Sequence, residues 1–218
     1  LSHELIAQAV LLDMDGTLVD SDAVVARVWR RWAVEHGLDP DRVLRVVHGR
    51  QGHATMAALL PDRPTELNLA ENRRMLAQET ADLDGVIPVP GAPALMDALG
   101  RVNHALVTSA DLALATARMT ATGLPMPRVR VTAESVSVSK PDPEGFLKAA
   151  AELGAEPADC VAFEDSAAGI EAVRAAGMRV IGVGPRAAAL APDAAVRDLT
   201  RVRAEPLAGG RVRLVITD

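Results

Sequence analysis

The apolar positions of the chain fall into two alternating patterns. Residues 7–13 read Ala-Gln-Ala-Val-Leu-Leu-Asp, and further short apolar runs stand at Ala105-Leu106-Val107, Val129–Val131, Val161-Ala162-Phe163 and Val180-Ile181-Gly182-Val183. Short runs of this kind suit strands covered on both faces, as in a parallel sheet. Alanine-rich stretches of helical spacing separate most of them. One of these, residues 144–153, places Phe146, Ala149, Ala150 and Leu153 on one side and leaves Lys148 on the solvated side. The alternation predicts an α/β fold, a doubly wound, Rossmann-like parallel sheet whose ligand site lies beyond the carboxyl ends of its strands.

Residues 21–85 break the rhythm. They contain amphipathic stretches at 24–36, 42–47 and 66–81 but no strand-like run, and they end in Asp84-Gly85-Val86-Ile87-Pro88-Val89-Pro90-Gly91, rich in the residues of a hinge. The expected organisation is a sheet domain of residues 1–20 and 86–218 with a helical insertion, 21–85. At the far end, residues 201–207 and 211–216 flank Gly209-Gly210, which predicts a hairpin.

Composition narrows the function classes. The 218 residues are 49% hydrophobic and 24% charged, which excludes a disordered, collagenous or disulfide-stapled chain. Lys plus Arg number 23 against 29 Asp plus Glu, a net charge of −6 with no basic run, so nonspecific binding to nucleic acid or an anionic membrane is not expected. The single cysteine, Cys160, is expected as a buried thiol beside a strand. No apolar stretch has membrane-spanning length, and Glu4 stands where a signal peptide needs basic residues. The expectation is a cytoplasmic protein, monomeric or homodimeric.

Candidate chemistry follows the strand ends. Asp13-Met14-Asp15-Gly16-Thr17 ends the first run, and residues two apart on a strand project to the same side, so the two carboxylates could share a site. Thr108-Ser109 ends the second, where hydroxyls and free amides can cradle an anion. Lys140, one of only two lysines, precedes Pro141-Asp142-Pro143, whose restricted backbone fixes its direction. Glu164-Asp165 ends a third run and leads into the small residues Ser166-Ala167-Ala168-Gly169. Each alone reads as capping or turn chemistry; together they gather on one edge of one sheet. Four carboxylates against one ammonium would repel a phosphate dianion unless a cation intervened, and oxygen donors without histidine or thiol favour Mg²⁺ over zinc.

These segments, Asp-Met-Asp-Gly-Thr-Leu-Val-Asp-Ser, Val-Thr-Ser-Ala, Ser-Lys-Pro-Asp-Pro and Phe-Glu-Asp-Ser-Ala-Ala-Gly-Ile, resemble the four motifs of the haloacid dehalogenase superfamily, in order. The resemblance extends over nearly the whole chain, and the insertion resembles the family's small helical cap. His48-Gly49-Arg50 and residues 140–146 are most similar to its sugar-phosphate and polyol-phosphate phosphatases. The resemblance implies a small phosphorylated metabolite as substrate, Asp13 as nucleophile, Asp15 as acid and base, and phosphoryl contacts from Thr108, Ser109 and Lys140. It further implies Mg²⁺ held by the Asp13 carboxylate, the Asp15 carbonyl and Asp165, with Glu164 acting through water. Substrate choice would fall to the cap, with His48, Arg50 and His53 as candidates; Trp29 and Trp32 read as packing residues. A phosphomutase shares the motifs, but its relatives carry a histidine where this chain has Val25. Phosphonate hydrolysis would need a cap lysine, and residues 21–85 contain none. Dehalogenases lack the second aspartate that Asp15 supplies. A phosphate- or Mg²⁺-dependent binding module is the reading from another class, which the full set Asp13, Asp15, Lys140 and Asp165 disfavours.

Overall fold

The five apolar runs become strands of a single parallel sheet, whose inner strands bury both faces, and a short edge strand at Ala194–Val196 makes a sixth. The computed structural model describes residues 2–217. Strands β1 (Ser2–Ala7), β2 (Ala9–Leu12) and β3 (Val19–Asp20) lead into helices α1 (Asp22–Glu35), α2 (Pro40–Leu44), α3 (Gly52–Leu59) and α4 (Thr65–Ala81). The chain returns through β4 (Ile87–Pro88), α5 (Ala92–Leu99), β5 (His104–Val107), α6 (Leu112–Ala121) and β6 (Val129–Val131). Then follow α7 (Glu144–Leu153), β7 (Cys160–Glu164), α8 (Ala167–Ala175), β8 (Arg179–Val183), α9 (Gly184–Ala188), β9 (Ala194–Val196), β10 (Val202–Pro206) and β11 (Val212–Thr217).

Six of these strands form the parallel sheet, in the order β6-β5-β2-β7-β8-β9. The chain first builds outward from β2 to β5 and β6, then crosses to the other side of β2 for β7, β8 and β9. The switch point of this doubly wound sheet therefore lies at the carboxyl end of β2, where such folds open a crevice. Alternation within β2 shows how both faces are filled. Val10 and Leu12 join one apolar cluster with Leu95, Leu106 and Phe163. Ala9 and Leu11 join the other, with Phe146, Ala149 and Ile170. Each large side chain buried this way contributes about 1.5–3 kcal/mol.

Helices α1 to α4 lie between β3 and β4, which pair antiparallel through only Val19↔Pro88 and Asp20↔Ile87. Trp29 and Trp32 pack edge to face at 5.3 Å, and the Trp32 Nε1–H donates to Glu71 at 2.8 Å, so Trp32 serves the interior of this helical segment. Cys160 is buried at the start of β7, and burial pushes its thiol up to about 11. Lys148 is exposed and pairs with Glu144 one helical turn earlier. Among the described residues, no helix is long and apolar enough to cross a membrane.

The first strand departs from the sequence reading. The run from Ala7 does not open a single strand; the chain divides at Gln8, and β1 joins the terminal hairpin in a separate antiparallel sheet of order β1-β11-β10. Its half-buried alternation, Leu5 and Ala7 in and Glu4 and Ile6 out, suits an antiparallel ribbon with one wet face. The register partner of β1 lies at the other end of the chain, where local pattern carries no trace of it.

Gly91 joins this terminal region to the sheet domain. It takes φ 89° ahead of α5, and a Cβ there would stand 2.3 Å from the Leu199 carbonyl carbon and 2.4 Å from the Thr200 nitrogen. The Leu199 N–H donates to Pro90 O at 2.9 Å across the same junction. Gly91→Ala combines a left-handed backbone with a backbone clash, and is expected to lower unfolding free energy by about 3 kcal/mol in a denaturant titration. A loss below about 0.5 kcal/mol would show that the junction does not fold with the rest of the domain.

Candidate active site

The site grows from the carboxyl end of β2. Asp13, the first residue past the strand, is buried and anchored by its own N–H donating to Phe163 O at 3.1 Å. Lys140, also buried, reaches it from the loop before α7. Its Nζ donates to Asp13 Oδ1 at 2.7 Å, Glu164 Oε1 at 2.7 Å and the Val107 carbonyl at 3.1 Å, using all three ammonium donors. Glu164 ends β7 fully buried. Its second oxygen accepts from the Asp165 and Ser166 N–H groups at 2.9 and 3.0 Å and from the Ser166 hydroxyl at 3.0 Å. The small residues of α8 permit this approach: a Cβ on Gly169 would overlap the Glu164 carboxylate at 1.8 Å.

Asp165, the next residue, accepts from Arg186 Nε and Nη2 at 3.1 and 2.8 Å on Oδ2, while its buried Oδ1 has no partner among the described residues. Burial and the neighbouring Glu164 charge raise Asp165 to about 7, against the opposing pull of Arg186 and Lys140. Burial also raises Asp13 well above the usual carboxylate range, with Glu164 adding to it and Lys140 opposing. Burial alone would depress the Lys140 ammonium, but Asp13 and Glu164 more than offset it and hold it above its ordinary value.

Three carboxylates thus face one ammonium and one guanidinium, and the crowding calls for another cation. Asp13, Glu164 and Asp165 each offer an oxygen within 4.8 Å of the others. The donors are hard oxygens, and the orphaned Asp165 Oδ1 is what a bound divalent ion would satisfy. Glu164 already accepts from four donors and is the least free of the three.

The Asp15 side chain does not join this cluster. The strand ends at Leu12, and the chain then curls, with the N–H groups of Thr17, Leu18 and Val19 all pointing to Met14 O, so same-side projection along a strand no longer applies. Asp15 Oδ1 instead accepts from the Ser21 hydroxyl and from Arg118 Nη1, both at 2.8 Å. Both aspartates nonetheless line one cavity of about 80 Å³.

Thr108 and Ser109 line the same cavity past the end of β5. Thr108 Oγ1 accepts from the Ala110 N–H at 3.1 Å, which leaves its hydroxyl hydrogen to donate. The Ser109 hydroxyl donates to Gly49 O at 2.9 Å, and the Gln51 N–H donates to Ser139 Oγ at 2.8 Å, stitching the 48–51 loop to the sheet domain. His48 and Arg50 of that loop line the cavity, as do Trp29, Asn72 and Glu79 from the helices. His53 does not: it lies within α3, away from the lining. Burial and the nearby Arg186 charge push the His48 imidazole down.

Four site residues escaped the sequence reading: Ser21, Glu79, Arg118 and Arg186. Arg118 had a signal, since it falls on the apolar stripe Leu114, Ala115, Met119 of α6. Glu79 had the same one, a helical turn beyond Met75. A charge on an apolar stripe announces a buried partner. Arg186 had no such signal.

Residues 7–177 match the haloacid dehalogenase-like hydrolase family. The chain is 40% identical to hexitol phosphatase A of Escherichia coli over 79% of its own length and 81% of that protein's. It is 32% identical to a fructose-1-phosphate phosphatase of the same organism, over 80% and 95%. A crystal structure of β-phosphoglucomutase from Clostridium difficile shares the fold with a TM-score of 0.74 at 19% identity, covering 90% of this chain and 93% of that one. With its motifs gathered at the switch point of a doubly wound sheet, the chain belongs to the haloacid dehalogenase-like hydrolase family.

Proposed function

We propose that the protein is a Mg²⁺-dependent phosphatase that hydrolyses small sugar or polyol phosphates through a phosphoryl group carried on Asp13. The observation that supports it most is the pairing of Asp13 with Lys140 at the end of the central strand, opening into a cavity shared with the helical segment. In this reading residues 1–20 and 86–218 form the catalytic core and residues 21–85 a cap over the leaving group.

An Asp13 carboxylate oxygen attacks phosphorus and the ester P–O bond breaks. The departing alkoxide takes a proton from Asp15. Water then attacks the phosphorus, returns a proton to Asp15, and frees inorganic phosphate as the Asp13 carboxylate reforms, so that one difficult hydrolysis becomes two easier transfers. The Thr108 hydroxyl and the Ser109 amide donate to phosphoryl oxygens, and Lys140 neutralises charge between Asp13 and the transferring group. Asp13, Asp165 and the Asp15 carbonyl would hold the magnesium ion, with Glu164 behind them; when bound, it supplies positive charge against the phosphoryl oxygens.

The relatives named as hexitol and fructose-1-phosphate phosphatases support the sugar or polyol class of substrate. Val25 supports hydrolysis over mutase chemistry: it lines the cavity at the position where the family resemblance places a mutase's histidine, and it offers no group to pass a proton.

Phosphate release from a panel of hexose, pentose, hexitol and glycerol phosphates, with Mg²⁺ or with a chelator, tests this reading. Release is expected only with the metal, and Asp13→Asn is expected to reduce it by at least about a thousandfold. Conversion of glucose 1-phosphate to glucose 6-phosphate without free phosphate would instead establish a mutase, and binding without turnover a binding module. Arg50→Ala is expected to raise KM for the best substrate about tenfold while leaving kcat within about threefold, since a cap contact to the leaving group forms in ground and transition states alike. An unchanged KM would remove Arg50 from the substrate site.

A further inference from the structure

Arg118 is a costly residue to place where it lies. Its side chain is almost fully buried on the apolar face of α6, and a lone guanidinium there would be strongly disfavoured. Two carboxylates make it tenable. Nη1 donates to Asp15 Oδ1 at 2.8 Å and Nη2 donates to Glu79 Oε2 at 2.6 Å, so one planar fork joins the loop after β2 to helix α4. Glu79 is itself buried and supplies the charge that keeps the fork in place. Burial alone would depress the guanidinium, but Asp15 and Glu79 reverse this and keep it charged.

The Ser21 hydroxyl donates to the same Asp15 oxygen at 2.8 Å, from the residue that opens α1. Two donors from different elements therefore converge on Oδ1 and fix the plane of the carboxyl group. A carboxyl pinned at one oxygen exchanges its proton at the other. Resting on the phosphatase reading, we infer that Arg118 is a positioning residue, which, braced by Glu79, holds Asp15 Oδ1 so that Oδ2 passes the proton to the leaving group. Arg118 acts through Asp15, and its effect is confined to reactions in which the departing oxygen needs that proton.

The leaving group provides the test. An alkyl phosphate releases a strongly basic alkoxide and depends on the acid; p-nitrophenyl phosphate releases a phenolate that departs unprotonated. Single-turnover release of each leaving group is measured with Mg²⁺, using the alkyl phosphate that ranks first for the unsubstituted chain. Arg118→Met is expected to slow alcohol release about hundredfold and p-nitrophenolate release by less than about threefold. Arg118→Met leaves Glu79 buried without a partner, so Arg118→Met/Glu79→Met, which replaces both charges by apolar groups, guards against simple unfolding and is expected to show the same split. Equal losses on the two substrates in the folded double variant, or no loss on either, would overturn the inference. Failure of the unsubstituted chain to release either leaving group would overturn the phosphatase reading itself, and this inference with it.

Discussion

The Lys140 ammonium is the interaction on which the arrangement of the sheet edge depends. Its three bonds reach the ends of β2, β5 and β7, segments that stand 127, 33 and 24 residues away in the chain. Without it, Asp13 and Glu164 would face each other buried and uncompensated, and breaking a buried pair of this kind costs about 3–5 kcal/mol. The compensation is incomplete: burial, with Glu164 adding to it, still raises Asp13 and Asp165. A site that remains short of positive charge after folding is one that gains from an incoming cation, and stability is given up for that readiness.

The helical segment meets the sheet domain through a second set of polar ties. Arg186 bridges Asp165 of the sheet edge to Asp22 at the start of α1, with bonds of 2.8 to 3.1 Å to each. Ser109 holds Gly49, Ser139 holds Gln51, and Arg118 holds Glu79. The Arg118–Glu79 tie is buried, whereas the Arg186–Asp22 pair is partly exposed, and apolar packing of α1 adds Val24, Val28 and Trp29.

Legibility in the sequence followed the range of the interaction. At the sheet edges Arg130 interrupts β6 and the short β9 was not singled out, but the inner parallel strands showed themselves because coverage on both faces leaves an apolar run in β2, β5, β7 and β8. β1 did not, since its pairing with β11 spans almost the whole chain. At the site, the positions just past strands were readable because topology brings strand ends together whatever the side chains: Asp13, Thr108, Glu164 and Asp165 meet for that reason. Arg118 and Glu79 left only the faint signal of a charge on an apolar helical stripe, and Arg186, on the short α9, left none. His53 sits in the same helical segment as His48 and Arg50 and carries the same residue chemistry, yet α3 keeps it from the cavity lining.

The two aspartates at 13 and 15 show how a short motif acquires two environments. By composition they are identical, and an extended strand would have made their surroundings alike. Ending β2 at Leu12 separates them: Asp13 stays over the sheet edge with Lys140 and the acidic cluster, while the turn at Met14 swings Asp15 toward Ser21 and Arg118. One carboxylate is held among charges that a phosphoryl group and a cation would balance. The other is held by donors rooted in the helices and at the cavity wall. Separation of environment rather than of residue type allows neighbouring carboxyl groups to take different parts in one reaction, and here that separation is set by where a strand stops.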